Sequence, residues 1–196
     1  MANIDRPNGF RPVGTLSGAS WNGSFRKFYA DENLFMGDIV EKAATGIGNN
    51  DGAYPSVDRL DSATADIAVG VVVGWEVNPD NLGNLYHASS GTYAVYVCVD
   101  PMVIFEGQGD GAGTILAALD VGLNTDVVIG AGSTTTGASN MEVDEDTTAT
   151  VATAATPLHI VGIVDRPDNE IGVANQKILV RLNMHNLAVD AGTAGI

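Results

Sequence analysis

Cysteine is nearly absent from this chain. Cys98 stands alone among 196 residues, so no intramolecular disulfide can form. Charge is also scarce: Asp, Glu, Lys and Arg make up 17% of the residues, against the usual ~25%. Only three residues are lysine. Long apolar runs are missing too. The longest, Ile67 to Trp75, is broken by glycines and falls far short of the ~20 residues that span a bilayer as a helix. The first residues, Met1 to Pro7, lack a basic stretch followed by an apolar one, so a signal peptide is not expected. Cations are outnumbered 24 to 9, for a net charge of −15. Such a surface repels phosphate, so neither nucleic acid nor an anionic membrane is an expected partner. What the chain does have is 45% hydrophobic residues and 24 glycines. At this length, burial of about 70% of the surface supports a core without metals or disulfides.

The charge is unevenly placed. Arg6, Arg11, Arg26 and Lys27 face Asp5 alone, so residues 1–28 carry +3 and the rest of the chain −18. The run Arg6-Pro7-Asn8-Gly9-Phe10-Arg11-Pro12-Val13 reads as an extended arm. Each proline fixes φ, lacks a donor and biases the preceding arginine toward extended backbone. Phe10 and Val13 are apolar anchors that a free arm would leave in water. The segmentation expected is therefore an extended arm over 1–28 and a single β-rich domain over 29–196.

The body has strand periodicity. Tyr93, Val95, Val97 and Val99 share one face, and Ala94, Tyr96 and Cys98 the other. Burial of both faces, or an interface on one, follows. Asp100-Pro101 interrupts this ladder, and Met102 to Phe105 resumes it. Ile178, Val180, Leu182 and Met184 alternate with Lys177, Arg181, Asn183 and His185, which predicts one core face and one mostly polar face. Further runs are Gly37 to Lys42, Ile67 to Val77, Val127 to Ile129 and Leu158 to Val164, separated by Gly, Asn and Asp clusters such as Gly46 to Gly52. The class expected is mainly β, a barrel or sandwich with at most one or two short helices. Thr114 to Val121 is the helix candidate, with Thr114 as N-cap. Residues 131–156 read as a low-complexity acidic loop or weak edge strand.

Motifs of catalysis fail one by one. Gly107-Gln108-Gly109-Asp110-Gly111-Ala112 matches a dinucleotide fingerprint, with Asp126 at a suitable distance, but Asp110 stands where pyrophosphate would lie and no βαβ pattern surrounds it. Gly132 to Gly137 has the glycine spacing of a phosphate loop, with Ala138 where the lysine is needed. His87, His159 and His185 show no metal-ligand spacing. Cys98 sits in an apolar run that disfavours a thiolate. Glu142, Asp144, Glu145 and Asp146 depart from the calcium-loop pattern and read as a solvated acidic loop. No enzyme, cofactor or metal is expected.

Several segments, taken in order, resemble the capsid decoration (cement) proteins of tailed bacteriophages. They are Asn8-Gly9-Phe10-Arg11-Pro12-Val13, Gly37-Asp38-Ile39-Val40, and Ala68-Val69-Gly70-Val71-Val72-Val73-Gly74. Val99-Asp100-Pro101 follows, running into Ile104-Phe105-Glu106-Gly107-Gln108, and then Thr136-Gly137-Ala138-Ser139. Ile160 to Ile163, Pro167 to Glu170 and Val180 to Asn183 with His185 close the set. The resemblance implies a tulip-like β body on the outer face of a phage head, assembled in the host cytoplasm. It implies the major capsid protein as partner and a homo-oligomer, with a trimer favoured over a dimer. The residues expected to contact the capsid are Arg6, Pro7, Phe10, Arg11, Pro12 and Val13. Tyr93, Val95, Val97 and Arg181 are candidates for self-association. The alternative is a β-rich tail or fibre component that stacks carbohydrate on Trp21, Trp75, Tyr54 and Tyr86.

Overall fold

The computed structural model describes residues 3–43, 54–61, 67–89, 93–146 and 156–187. The expected turn at Gly46 to Gly52 lies outside them. The chain is mainly β. Its strands in chain order are β1 Arg11–Thr15, β2 Arg26–Phe28, β3 Ile39–Lys42, β4 Val57–Arg59, β5 Ala68–Trp75, β6 Val95–Cys98, β7 Val103–Gln108, β8 Asn124–Thr125, β9 Val127–Val128, β10 Glu142–Val143, β11 Leu158–Ile163 and β12 Lys177–Leu182. One five-stranded sheet has the order β1-β7-β12-β11-β8, a second the order β2-β6-β5-β3-β4, and β9 and β10 form a small ribbon. All these strand pairs are antiparallel.

The two large sheets enclose the main core. Ile178, Val180 and Leu182 of β12, Leu158 and Ile160 of β11 and Phe105 of β7 meet Ile39 of β3, Val71 of β5 and Cys98 of β6. This is the inward set expected from the alternation in 178–184, with Lys177, Leu179 and Arg181 half-exposed on the other side. The second sheet is covered on its outer face as well. Phe28, Val40, Val57, Val72, Val95 and Val97 pack there beneath Ala30 and Leu34. Strand β5 serves both cores because successive side chains point to opposite faces, Ala68 and Val71 into the main core and Val69 and Val72 into the second; its register slips twice, near Val40/Glu41 of β3 and at Val72/Gly74. Each slip moves the following side chains to the other face.

The second sheet also rolls. Its edge strands meet through one parallel bridge, Tyr29 to Ser56, where the Tyr29 amide donates to the Pro55 carbonyl at 3.0 Å and the Val57 amide to Tyr29 at 2.9 Å. No full ladder closes it, so the body is sandwich-like rather than a closed barrel.

The helix expected over 114–121 is reduced to one 3-10 turn at Ala118–Asp120. The amides of Thr114 and Leu116 are taken by the carboxylates of Asp146, at 2.7 Å, and Glu145, at 3.3 Å. Of the acidic loop expected at 131–156, residues 147–155 lie outside the described residues; in the rest, Ser139, Met141, Val143 and Glu145 are inaccessible, and Glu142–Val143 is strand β10. Among the described residues no helix is long and apolar enough to cross a membrane.

Candidate interaction surface

The N-terminal residues lie on the body. The Asn3 side chain donates to the Glu170 carbonyl at 3.0 Å and accepts from the Glu170 amide at 2.8 Å. The Arg6 amide donates to Gln108 Oε1 at 3.2 Å, and Gln108 Nε2 donates to Asp5 at 3.2 Å. Arg11–Thr15 then pairs with β7 as the edge strand of the first sheet.

Phe10, expected as an anchor for a partner, is only 2% exposed and belongs to this chain's own main core. The backbone shapes its slot. Gly9 and Gly37 have φ of +69° and +93°, and the Phe10 amide donates to the Gly37 carbonyl at 3.0 Å. A Cβ on Gly107 would sit 2.8 Å from the Phe10 ring, so that position must lack a side chain for the ring to enter. The apolar cover of Phe10 is the molecule itself.

The other N-terminal candidates are outside. Arg6 and Arg11 are exposed, and Val13 is 37% exposed. Arg11 reaches Glu106 Oε1 at 3.1 Å, and Arg166 holds the same carboxylate with two donors, at 2.9 and 3.2 Å. Pro7 and Pro12 are half-buried. Beside this edge runs a groove of about 630 Å³, floored by Phe10, Pro12, Trp21 and Trp75 and rimmed by Met36 and Leu85. Met36 and Leu85 are 50% and 52% exposed. Arg11 is the one charged residue lining it among the described residues. The aromatic quartet of the carbohydrate alternative is not gathered. Trp21 and Trp75 share this groove, Tyr86 stacks on Phe35 at 5.3 Å, and Tyr54 meets Tyr29 edge-on at 5.6 Å.

Of the self-association candidates, Tyr93, Val95 and Val97 are buried, the two valines in the second core. Their side chains face inward, so only Arg181, half-exposed on β12, reaches the surface.

The glycine-rich loop after β7 is a cradle for anions supplied by the protein. Glu145 is inaccessible and accepts from the Gly111 amide at 3.1 Å, the Leu116 amide at 3.3 Å and Gln176 Nε2 at 2.8 Å. Side chains at Gly109 or Gly113 would overlap Glu145 and Asp146. The loop brings N–H groups to a negative charge, and that charge is a side-chain carboxylate of the same chain. Burial raises the Glu145 pKa, against the pull of Gln176 and the two amides. Glu142 is pushed up to about 7, first by burial and then by the nearby carboxylates of Asp5 and Asp110.

The histidines are widely separated. His87 is buried between the carbonyls of Glu32 and Tyr93, His159 contacts Asn124 Oδ1 at 2.8 Å, and His185 accepts from the Leu187 amide at 3.0 Å. Burial raises the Cys98 pKa and lowers those of His159 and His185. Among the described residues, no three His, Cys, Asp or Glu side chains are grouped to hold a metal.

Comparison with protein-family models, with curated proteins and with solved structures finds no match to this chain.

Proposed function

We propose that this chain is a structural protein of a tailed-phage head, sitting on the outer surface of the major capsid lattice and bridging neighbouring subunits without catalysis. One observation carries the reading: an edge strand opening on Arg11-Pro12 borders an apolar groove, with Arg11 as the one charged residue lining it among the described residues, on a chain of net charge −15. The ordered segment resemblance points the same way. Exposed apolar grooves rimmed by polar surface are the mark of protein contacts, and an edge strand with prolines limits indiscriminate strand pairing. Arg6, Arg11, Pro12 and Val13 supply the contact, and Phe10 fixes their position from inside. An acidic body turned outward does not compete for packaged genome.

The mechanism is mass action. A protein that binds only the assembled lattice stabilises it by RT ln(1 + [L]/Kd) per site. Self-association, with a trimer favoured, multiplies weak contacts through effective concentration. Mixing the purified chain with heads that lack it and sedimenting them tests this. Saturable cosedimentation and a higher disruption temperature of the heads are expected; absence of the chain from the pellet at micromolar concentration refutes the reading. The shared position of Trp21 and Trp75 supports the carbohydrate alternative, which a neutral-glycan array tests directly. Glycan binding without cosedimentation would replace the first reading.

A further inference from the structure

At one end of the rolled second sheet a cavity of about 720 Å³ opens. Its apolar wall includes Phe28 of β2, Val69 of β5 and Val99 after β6, and its charged lining is Arg26, Lys27 and Lys42. Three of the nine basic residues of the chain stand here, and none of the 24 acidic ones lines the cavity among the described residues. In a chain of −15 this is a local reversal of sign. Lys27 is engaged: its ammonium lies 2.5 Å from Glu76 and 5.8 Å from the centre of the Tyr96 ring. Arg26 and Lys42 are exposed and have no ion pair among the described residues.

The N-terminal candidates throw this into relief. Phe10 is inside the core and Arg11 already holds Glu106, whereas Arg26 and Lys42 have no ion pair among the described residues and stand beside apolar wall. Clefts lined by one sign of charge over low-dielectric walls focus potential and select the opposite sign. Charge-assisted pairs at such a rim add direction to the burial of an apolar group.

We propose that this cavity receives an extended acidic segment of the partner shell protein, which buries one apolar side chain against Phe28, Val69 and Val99 and pairs its carboxylates with Arg26 and Lys42. The proposal rests on the head-surface reading above and names the chemistry of its partner.

The test uses two arms on the full chain. In the first, anilinonaphthalene sulfonate, an apolar anion, is titrated in parallel with its neutral counterpart phenylnaphthylamine. Wild type is expected to bind the anion saturably and the neutral probe at least tenfold more weakly. The double variant R26Q/K42Q should lose at least tenfold in affinity for the anion with an unchanged melting temperature, since both side chains are exposed. R166Q, which removes a charge elsewhere, should bind like wild type. Equal binding of the two probes, or an unchanged affinity in R26Q/K42Q, overturns the site. In the second arm, heads lacking the protein are sedimented with each variant. At least a tenfold weaker cosedimentation of R26Q/K42Q is expected. If wild type and R26Q/K42Q pellet equally, the partner segment is the wrong occupant while the head-surface function stands. A concentration-dependent dimer that R26Q/K42Q abolishes would assign the cavity to a second copy instead. If wild type itself stays in the supernatant, the functional reading fails and the assignment to a shell segment fails with it, whereas the probe arm still decides whether the cavity selects apolar anions.

Discussion

Truncation of Phe10 to alanine should unfold this protein far more easily, although the residue lies in a segment whose composition is that of a free arm. The ring is 2% exposed, so nearly all of its surface leaves water on folding. A phenylalanine buries roughly 150–250 Å², worth about 4–6 kcal/mol at ~25 cal/mol per Å² as an upper bound. Measured Phe→Ala losses in cores run at about 3–5 kcal/mol, with the higher values where the site cannot collapse. Collapse is restricted here, because Gly107 presents backbone rather than a side chain to the ring. Loss of about 4 kcal/mol is expected, read as a shift of the urea midpoint at unchanged m-value, with a fall in melting temperature of roughly 10 °C for a domain of this size. Phe10→Leu should recover more than half of it. A Phe10→Ala loss below about 1 kcal/mol would refute the reasoning, because it would mean that the ring spends its time in water and the first residues leave the body in solution. Gly107→Ala supplies the reciprocal check: its new methyl would lie 2.8 Å from the ring, so a cost of about 1–3 kcal/mol from overpacking is expected without any change to Phe10 itself.

Glu145→Ala should be among the most damaging single changes. It strands the Gly111 and Leu116 amides and removes one of the two acceptors of Gln176 Nε2, at a cost of about 3 kcal/mol, and chemical denaturation that shows less than about 1 kcal/mol would dismiss the cradle. Glu142 gives a pH signature. Its pKa rises from an ordinary 4.5 to about 7 in the fold, so the folded state binds the extra proton between those values and stability falls as pH climbs through that window. The group is partly exposed, which limits the effect to roughly 1 kcal/mol after solvent screening. Glu142→Gln should match wild type near pH 4.5 and exceed it at pH 8, and parallel pH profiles for the two proteins would contradict the assignment. Cys98 is fully buried and its thiol is pushed up by burial, so a thiol-exchange reagent should label it only on unfolding; rapid labelling of the native protein would show that the strand around it opens.

Much of the architecture was legible in the linear chain. The alternation at 178–184 became β12 because a strand between core and solvent can satisfy both only with a period of two, and the run at 158–164 became its neighbour β11, whereas the runs at 37–42 and 67–77 became β3 and β5, which are buried on both faces. Asp100-Pro101 lies between β6 and β7, where the Met102 amide is held by the Asp100 side chain at 2.9 Å. The surplus of carboxylates belongs to composition alone. Tertiary structure decided the rest, for one physical reason. A local pattern encodes that a group needs a partner, and not which distant segment provides it. Phe10 announced a demand for apolar cover that β7, β3 and the loop before it meet. Gly109 and Gly113 announced a close approach, which Glu145 and Asp146 make from more than thirty residues away. Arg26 and Lys42 share one cavity only because the second sheet rolls until Tyr29 bridges Ser56.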